Sequence, residues 1–372
     1  MAAATEEIKT KRKVIPQASE LEIKVARLQV KLSQKFRLQT YRKLASLLRN
    51  RFSLMDALER IYNIVSDNDK HPKEYRAIAV TQWMRSLQNG DSFSVAMRGW
   101  APASELLMLS VGDIANLDEA LENLIHVVEG KKKMQEPLVG ALAYPMVLMV
   151  MVVFIIYGVG AFMVPPMEEA APNVVWGGQA KSLVDLSHWV KKHPWLLALT
   201  LPTIFITIAV TLPRWKGRVR ASFDNVPPWS MYRIFVGVSW LLSLAALVKA
   251  GTPVSKALRT LRQDANPYLL YRIERALIFV NNGENLGEAL FLTGLNFPDK
   301  EVIGDLQIYS ELDNFAVALD QMANEWLVDS IRSIEQKAAV LNAVAILIIA
   351  TVVAWVVLGT FDMQDQLVKA MG

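Results

Sequence analysis

Cysteine is absent from the 372 residues. That excludes a disulfide framework, a thiolate metal site, an iron–sulfur cluster and a cysteine nucleophile together. Histidine is nearly absent: His71, His126, His188 and His193 are scattered along the chain, which leaves no basis for a histidine-rich metal site. Charge is scarce too. Asp, Glu, Lys and Arg make up 20% of the chain and hydrophobic residues 52%, against about 25% charged residues in a soluble globular protein. The signatures of common chemistries are also missing. A phosphate-cradling loop needs a glycine run closed by Gly-Lys-Ser/Thr, and neither Gly130-Lys131-Lys132-Lys133 nor Gly283-Glu284-Asn285-Leu286-Gly287 has it. No nucleophile elbow and no His-Glu-x-x-His pair occurs. The expectation is a protein that is not an enzyme and uses no cofactor and no metal.

What the chain has instead is long uncharged runs. Pro137–Met167 extends 31 residues without a charge, Pro194–Pro213 20 and Ala338–Phe361 24. About 20 apolar residues at 1.5 Å each cover a hydrocarbon layer of roughly 30 Å, so each run predicts a transmembrane helix. The first is long enough to tilt. Pro145 and Pro202 lie inside the first two and would bend them. None of the three carries an ionisable residue, as a translocation path would require. Asn342 is the only side-chain amide in them.

Flanking basic residues set the orientation. Lys131, Lys132 and Lys133 precede the first run, and Arg214, Lys216, Arg218 and Arg220 follow the second, whereas 168–193 is charge-balanced. The connector 168–193 and the tail 362–372 are therefore expected on the periplasmic side, and the N-terminus and the two polar blocks in the cytoplasm. The first 20 residues show no apolar core of a secretory signal. The net charge of +4 hides an asymmetry: residues 1–51 hold 13 Lys/Arg against 4 Glu. The basic arm, 1–35, which contains Lys11, Arg12 and Lys13, suits an acidic protein, an anionic membrane surface, nucleic acid or plain solvent.

The two polar blocks, 36–136 and 214–337, read as helical. Leu38, Tyr41, Ala45 and Leu48 recur at helical spacing, as do Leu54, Ala57, Leu58, Ile61 and Val65 after the N-cap candidate Ser53. Val80, Trp83, Met84 and Leu87 form a third stripe ended by Asn89-Gly90. Leu117, Leu121, Leu124 and Val128 form another, which continues into the first uncharged run. The second block repeats the first about 193 to 200 positions later. Arg49 to Leu58 matches Lys249 to Leu258, Asn89-Gly90 matches Asn282-Gly283, Pro102 and Glu105 match Pro298 and Glu301, and Asp113 matches Glu311. Each copy leads directly into an uncharged run.

With these motifs in this order, the chain resembles the inner-membrane platform proteins of type IV pilus and type II secretion machines, the secretion-system F family. The resemblance covers about 36–361. One family motif stands as Ala250-Gly251-Thr252-Pro253-Val254 before Ala257-Leu258; the first copy has Arg51 at the glycine and Ser53 at the proline. The other, Gly-Glu-x-x-Gly-x-Leu, stands as Gly112-Asp113 with Asn116-Leu117, and as Ser310-Glu311 with Asn314-Phe315. Asn replaces Gly in both copies, and Asn also tolerates a left-handed helix end.

The resemblance implies an all-α membrane protein with two homologous cytoplasmic bundles of about six helices each and three transmembrane helices: 36–136, 137–167, 194–213, 214–337 and 338–361. It implies as partners a hexameric assembly or secretion ATPase, pilin or pseudopilin subunits, other inner-membrane assembly proteins and further copies of the chain, but no nucleic acid. Gly90 and Gly283 are expected as helix-ending turns. Asp113 and Glu311 are candidates for a basic partner, a cation or a helix-end role, and Lys11, Arg12 and Lys13 for an interaction surface. A membrane-anchored adaptor and a transporter subunit, neither with a motor partner, are the rival readings.

Overall fold

The computed structural model describes residues 18–112, 117–170 and 172–371. Every named element among them is helical, and the chain divides into two compact units, 1–129 with 243–264 and 130–242 with 265–372.

The first unit begins inside the expected arm. Helix α1 (Glu20–Leu32) opens with a capping box in which Ser19 and Glu22 satisfy each other's backbone N–H. It buries Ala26 and Val30 and packs on α4 (Tyr75–Gln88). Residues 20–32 thus belong to the folded unit rather than to a free arm. Their two buried positions, four apart, were masked in the sequence by the Lys and Glu around them. Next come α2 (Gln34–Arg49), α3 (Leu54–Val65), α5 (Phe93–Ala96) and α6 (Ala103–Gly112). Ser53 caps α3 by accepting the Asp56 N–H at 3.1 Å. The core centres on Trp83, stacked on Phe36 and edge-on to Trp100 at 6.1 Å.

Helix α12 (Trp229–Lys249) delivers its last residues, followed by α13 (Val254–Leu261), to this same unit. The apolar stripe of α13 (Ala257, Leu258, Leu261) is buried, the helix packs on α6, and Asp264 accepts the Ser104 N–H at 3.0 Å. Residues 243–264 of the expected domain 214–337 are thus grouped with the first compact unit, α13 burying its apolar stripe there.

The second unit takes up α7 (Leu117–Gly158) from Gly130 onward, then a π-helical turn (Val159–Met163), α8 (Val164–Glu169), α9 (Gly178–Lys192), α10 (Pro194–Arg214) and α11 (Arg218–Phe223). The first part of α12 follows, then α14 (Pro267–Asn281), α15 (Leu286–Leu292), α16 (Lys300–Tyr309) and α17 (Phe315–Met371). The order α2 to α7 is repeated by α12 to α17, six helices each time, so the bundle repeat is present as expected. Close packing of α15 on α16 depends on Gly287, where a Cβ would lie 2.3 Å from the Gln307 backbone nitrogen.

Among the described residues four helices are long and apolar enough to cross a membrane: Leu117–Glu169, Pro194–Arg214, Trp229–Lys249 and Phe315–Ala370. The third, α12, is not among the runs singled out from sequence. It buries 72% of its most apolar stretch inside the protein, against 22%, 11% and 6% for the others. Helix α12 is a core helix, and the remaining three present their apolar surface outward. The expected connector 168–193 and tail 362–372 are largely helix: α9 fills most of the first, and α17 runs on through the second to Met371.

Candidate functional site

The glycines singled out as turns are turns. Gly90 and Gly283 have φ of +91° and +98°, and a Cβ on either would touch nothing within 4 Å, so only the backbone conformation calls for glycine. Each closes a Schellman motif. Asp91 N–H reaches Ser86 O at 3.2 Å after α4, and Glu284 N–H reaches Phe279 O at 3.1 Å after α14. Glu311 lies exposed in the turn between α16 and α17. Its expected counterpart Asp113, and the basic residues Lys11, Arg12 and Lys13, lie outside the described residues. No cluster of three or more His, Asp or Glu able to hold a metal ion occurs among the described residues.

Two buried ionic knots, one per unit, were not anticipated. In the first, Glu105 on α6 takes a bidentate pair from Arg37 on α2, at 2.9 and 3.0 Å, and accepts the Tyr41 hydroxyl at 2.7 Å. Arg37 also donates to Val30 O at 2.8 Å, which ties α1 to the knot. Burial and then the Glu105 charge push the Tyr41 hydroxyl well above its usual range. Burial opposes the Arg37 charge, yet the bonds and charge of Glu105 prevail and raise the guanidinium above its ordinary value.

In the second unit Asp224, just after α11, accepts from Arg220, Arg272 and, at 3.0 Å, the Tyr268 hydroxyl. All are buried. Two guanidiniums share one carboxylate, so the knot holds a surplus positive charge. The ring of Tyr268 faces that surplus, with the Arg272 and Arg220 carbons 3.6 and 4.7 Å from its centroid. Desolvation still lowers the Arg220 pKa, against the pull of Asp224. This knot sits where span α10 gives way to the second bundle, and α10 packs on α14 beside it. Sequence gave only a weak hint: Arg220 was counted as a flanking charge, which the positive-inside pattern places in water.

The third feature is a clasp at the far end of the spans. The apolar face of α9 (Ala180, Leu183, Val184) packs with Val159, Val164 and Met363 in one buried cluster, joining the π turn and α8 to the end of α17. Gly359 lets Leu183 approach, since a Cβ there would meet its side chain at 2.5 Å. Polar contacts close the joint. The Asp362 carboxylate accepts the Ala180 N–H at 2.9 Å, Gln366 exchanges bonds with the Gly177 backbone, and Trp355 donates to the Ser182 hydroxyl at 3.0 Å. Asp362 thus caps α9 from another helix. The Ala180 N–H, and then Gln366, lower its pKa. Ser187 donates to Gly160 O at 2.7 Å, satisfying a carbonyl in the π turn. The two longest apolar helices, 53 and 56 residues or roughly 80 Å each at 1.5 Å per residue, are thereby tied together at one end.

A family model described as type II secretion system (T2SS), protein F matches residues 40–165 and 240–361. The chain belongs to the type II secretion system protein F family. Each protein F match begins within the first long bundle helix of a copy and ends in an apolar helix, α7–α8 or α17, so the family's unit is the bundle-plus-span repeat seen here. Membership in the protein F family, together with three outward-facing apolar helices, makes the chain an inner-membrane protein. The toxin coregulated pilus biosynthesis protein E of Vibrio cholerae serotype O1 is 25% identical over 348 residues, spanning 91% of this chain and 99% of that protein.

Proposed function

We propose that the protein is the inner-membrane platform of a pilus-assembly or secretion machine, coupling a cytoplasmic hexameric ATPase to pilin subunits in the bilayer. The observation that carries this reading is helix continuity: α7 to α8, and α17, each run unbroken from a bundle into an apolar span, and α9 ties their far ends. A displacement of a bundle can pass along such helices without a hinge to absorb it. An apolar groove of about 800 Å³ beside α7 and α10, lined by Phe154, Tyr157, Leu201 and Phe205, offers a surface for the apolar helix of a pilin. The similarity to a pilus biosynthesis protein favours pilus assembly over secretion.

The bundles and the N-terminus lie in the cytoplasm in this reading, and α9 and the end of α17 in the periplasm. A reporter fused after Gly178 reads periplasmic, and reporters after Gly90 and Gly283 read cytoplasmic. The coupling itself is tested by insertions after Lys133. Four glycines remove the stiffness of α7, and seven alanines keep it over about two turns. The glycine insertion should abolish pilus assembly while ATPase binding by the purified protein persists, and the alanine insertion should retain assembly. Equal activity of both insertions would overturn the coupling, and an ATPase that fails to bind the intact protein would overturn the platform reading.

A further inference from the structure

The second unit carries a groove of about 380 Å³ between α12, α16 and α17. Glu301 and Asp305 of α16 line it together with Glu325 and Asp329 of α17, and all four are exposed. Among the described residues Glu301, Asp305 and Glu325 form no ion pair. Met322 and Trp326 also line the groove. Ser330 lines it too, 98% buried, and its hydroxyl has no hydrogen-bond partner among the described residues. The carboxylates are too dispersed for a metal ion. Spread negative charge over an aromatic side chain, beside an unused hydroxyl acceptor, suits several cations carried close together on one segment. Lys and Arg stems lie on Trp, and their heads reach carboxylates and hydroxyls.

The chain itself contains such a segment: Lys9, Lys11, Arg12 and Lys13, four cations in five residues with no acid among them. We propose that the groove docks residues 9–13 of a second copy of this chain. The contact is heterologous, arm to groove, so it links copies head to tail rather than by a two-fold axis. Copies held in one membrane with both parts on one face raise each other's effective concentration, so a contact of modest intrinsic strength is enough. The proposal rests on the cytoplasmic placement of both parts given above.

The absence of native cysteine makes the test clean. Full-length Thr10→Cys carries one tag and full-length Ser333→Cys another, and the two are co-expressed and oxidised in native membranes. The expected product is a disulfide dimer bearing both tags. It should be lost with Glu325→Lys and Asp329→Lys in the groove copy, and restored when Lys11, Arg12 and Lys13 of the arm copy become Glu. Loss without restoration, a dimer indifferent to charge reversal, or a disulfide that forms only within one double-cysteine chain would each overturn the docking. A membrane-impermeant maleimide, applied to right-side-out and inverted vesicles, separates the two levels of failure. Labelling of the two cysteines from opposite faces overturns the topology and the docking together; labelling from the cytoplasmic face with no two-tag dimer overturns the docking alone.

Discussion

The first bundle copy, α2 to α7, and the second, α12 to α17, agree in helix order and in how their helices end, yet share few side chains at those ends. After α2 the chain turns through Arg51, with Phe52 N–H on Leu47 O at 3.1 Å; after α12 it turns through Gly251, with Thr252 N–H on Leu247 O at 2.9 Å. Helix α3 is capped by the Ser53 hydroxyl, whereas α13 starts from Pro253 with no side-chain cap. The buried knots diverge further: a neutral Arg37–Glu105 pair in the first unit, a net-positive Arg220–Asp224–Arg272 cluster in the second. What is repeated is a backbone path and its hydrogen bonds. Several residue sets satisfy that path, which is why the copies match so faintly in sequence.

The knots provide the hardest test of this contrast. Removing one partner of a buried ion pair costs about 3–5 kcal/mol. Glu105→Ala should fall at the low end of that range, because Arg37 keeps the Val30 and Lys31 carbonyls as acceptors. Asp224→Ala leaves two buried guanidiniums facing each other and should reach or exceed the high end. Thermal unfolding in detergent ranks the two. A smaller loss for Asp224→Ala would show that the Tyr268 ring, rather than the carboxylate, balances the second knot.

Packing of the fourth helix of each copy comes next. Gly287→Ala pushes a methyl into the backbone of α16 and should cost about 1–3 kcal/mol as the helices separate. Its positional match in the first copy is Ser94, partly exposed, where alanine should change stability by no more than about 0.5 kcal/mol. Chemical denaturation of the two variants side by side checks the difference.

The clasp is expected to answer to acid through Asp362. Hydrogen bonds to its charged form depress the Asp362 pKa, so its stabilisation is complete above the ordinary carboxyl range. It is lost as pH falls through the ordinary carboxyl range and then through the lowered value. Lys369 favours the charged form from the same helix. Amide exchange in 178–186, corrected for intrinsic rates, should be flat from pH 7 to about 4.5 and then rise. In Asp362→Ala it should be high throughout.

These tests fall on features of unequal visibility in the sequence. The stripe Leu54, Ala57, Leu58, Ile61 and the turn at Gly90 were readable because helical period and positive φ are local properties. The uncharged spans were readable because lipid admits few alternatives. Helix α9 was not: Lys181 and Ser182 separate its buried Ala180 from Leu183 and Val184, Asp185 follows them, and their partners lie on the π turn and on α17, far away in sequence. The knots were hidden for the same reason. Arg37 and Glu105 are 68 positions apart, and Arg220 stands among three other basic residues that flank a span. Core helix α12 escaped because Arg233 interrupts its apolar run, though the burial of the helix makes it one of the most hydrophobic parts of the core.

The finest discrimination is at the turn where Arg51 of the first copy stands at the position of Gly251 in the second. Arg51 has φ of +63° and Gly251 +82°, so both occupy the left-handed region, which costs a side-chain-bearing residue about 1–2 kcal/mol. At Gly251 a Cβ would meet nothing within 4 Å, so Gly251→Ala changes conformational preference and no contact, and should destabilise by about 1 kcal/mol. Arg51→Gly relieves the same strain but frees the unfolded chain, so the net gain should be only about 0.5 kcal/mol. Opposite signs at matched positions in urea denaturation would establish that the two copies obey one backbone rule. Destabilisation by both variants would mean that the Arg51 side chain has been recruited to a role in the first copy that the glycine never had in the second.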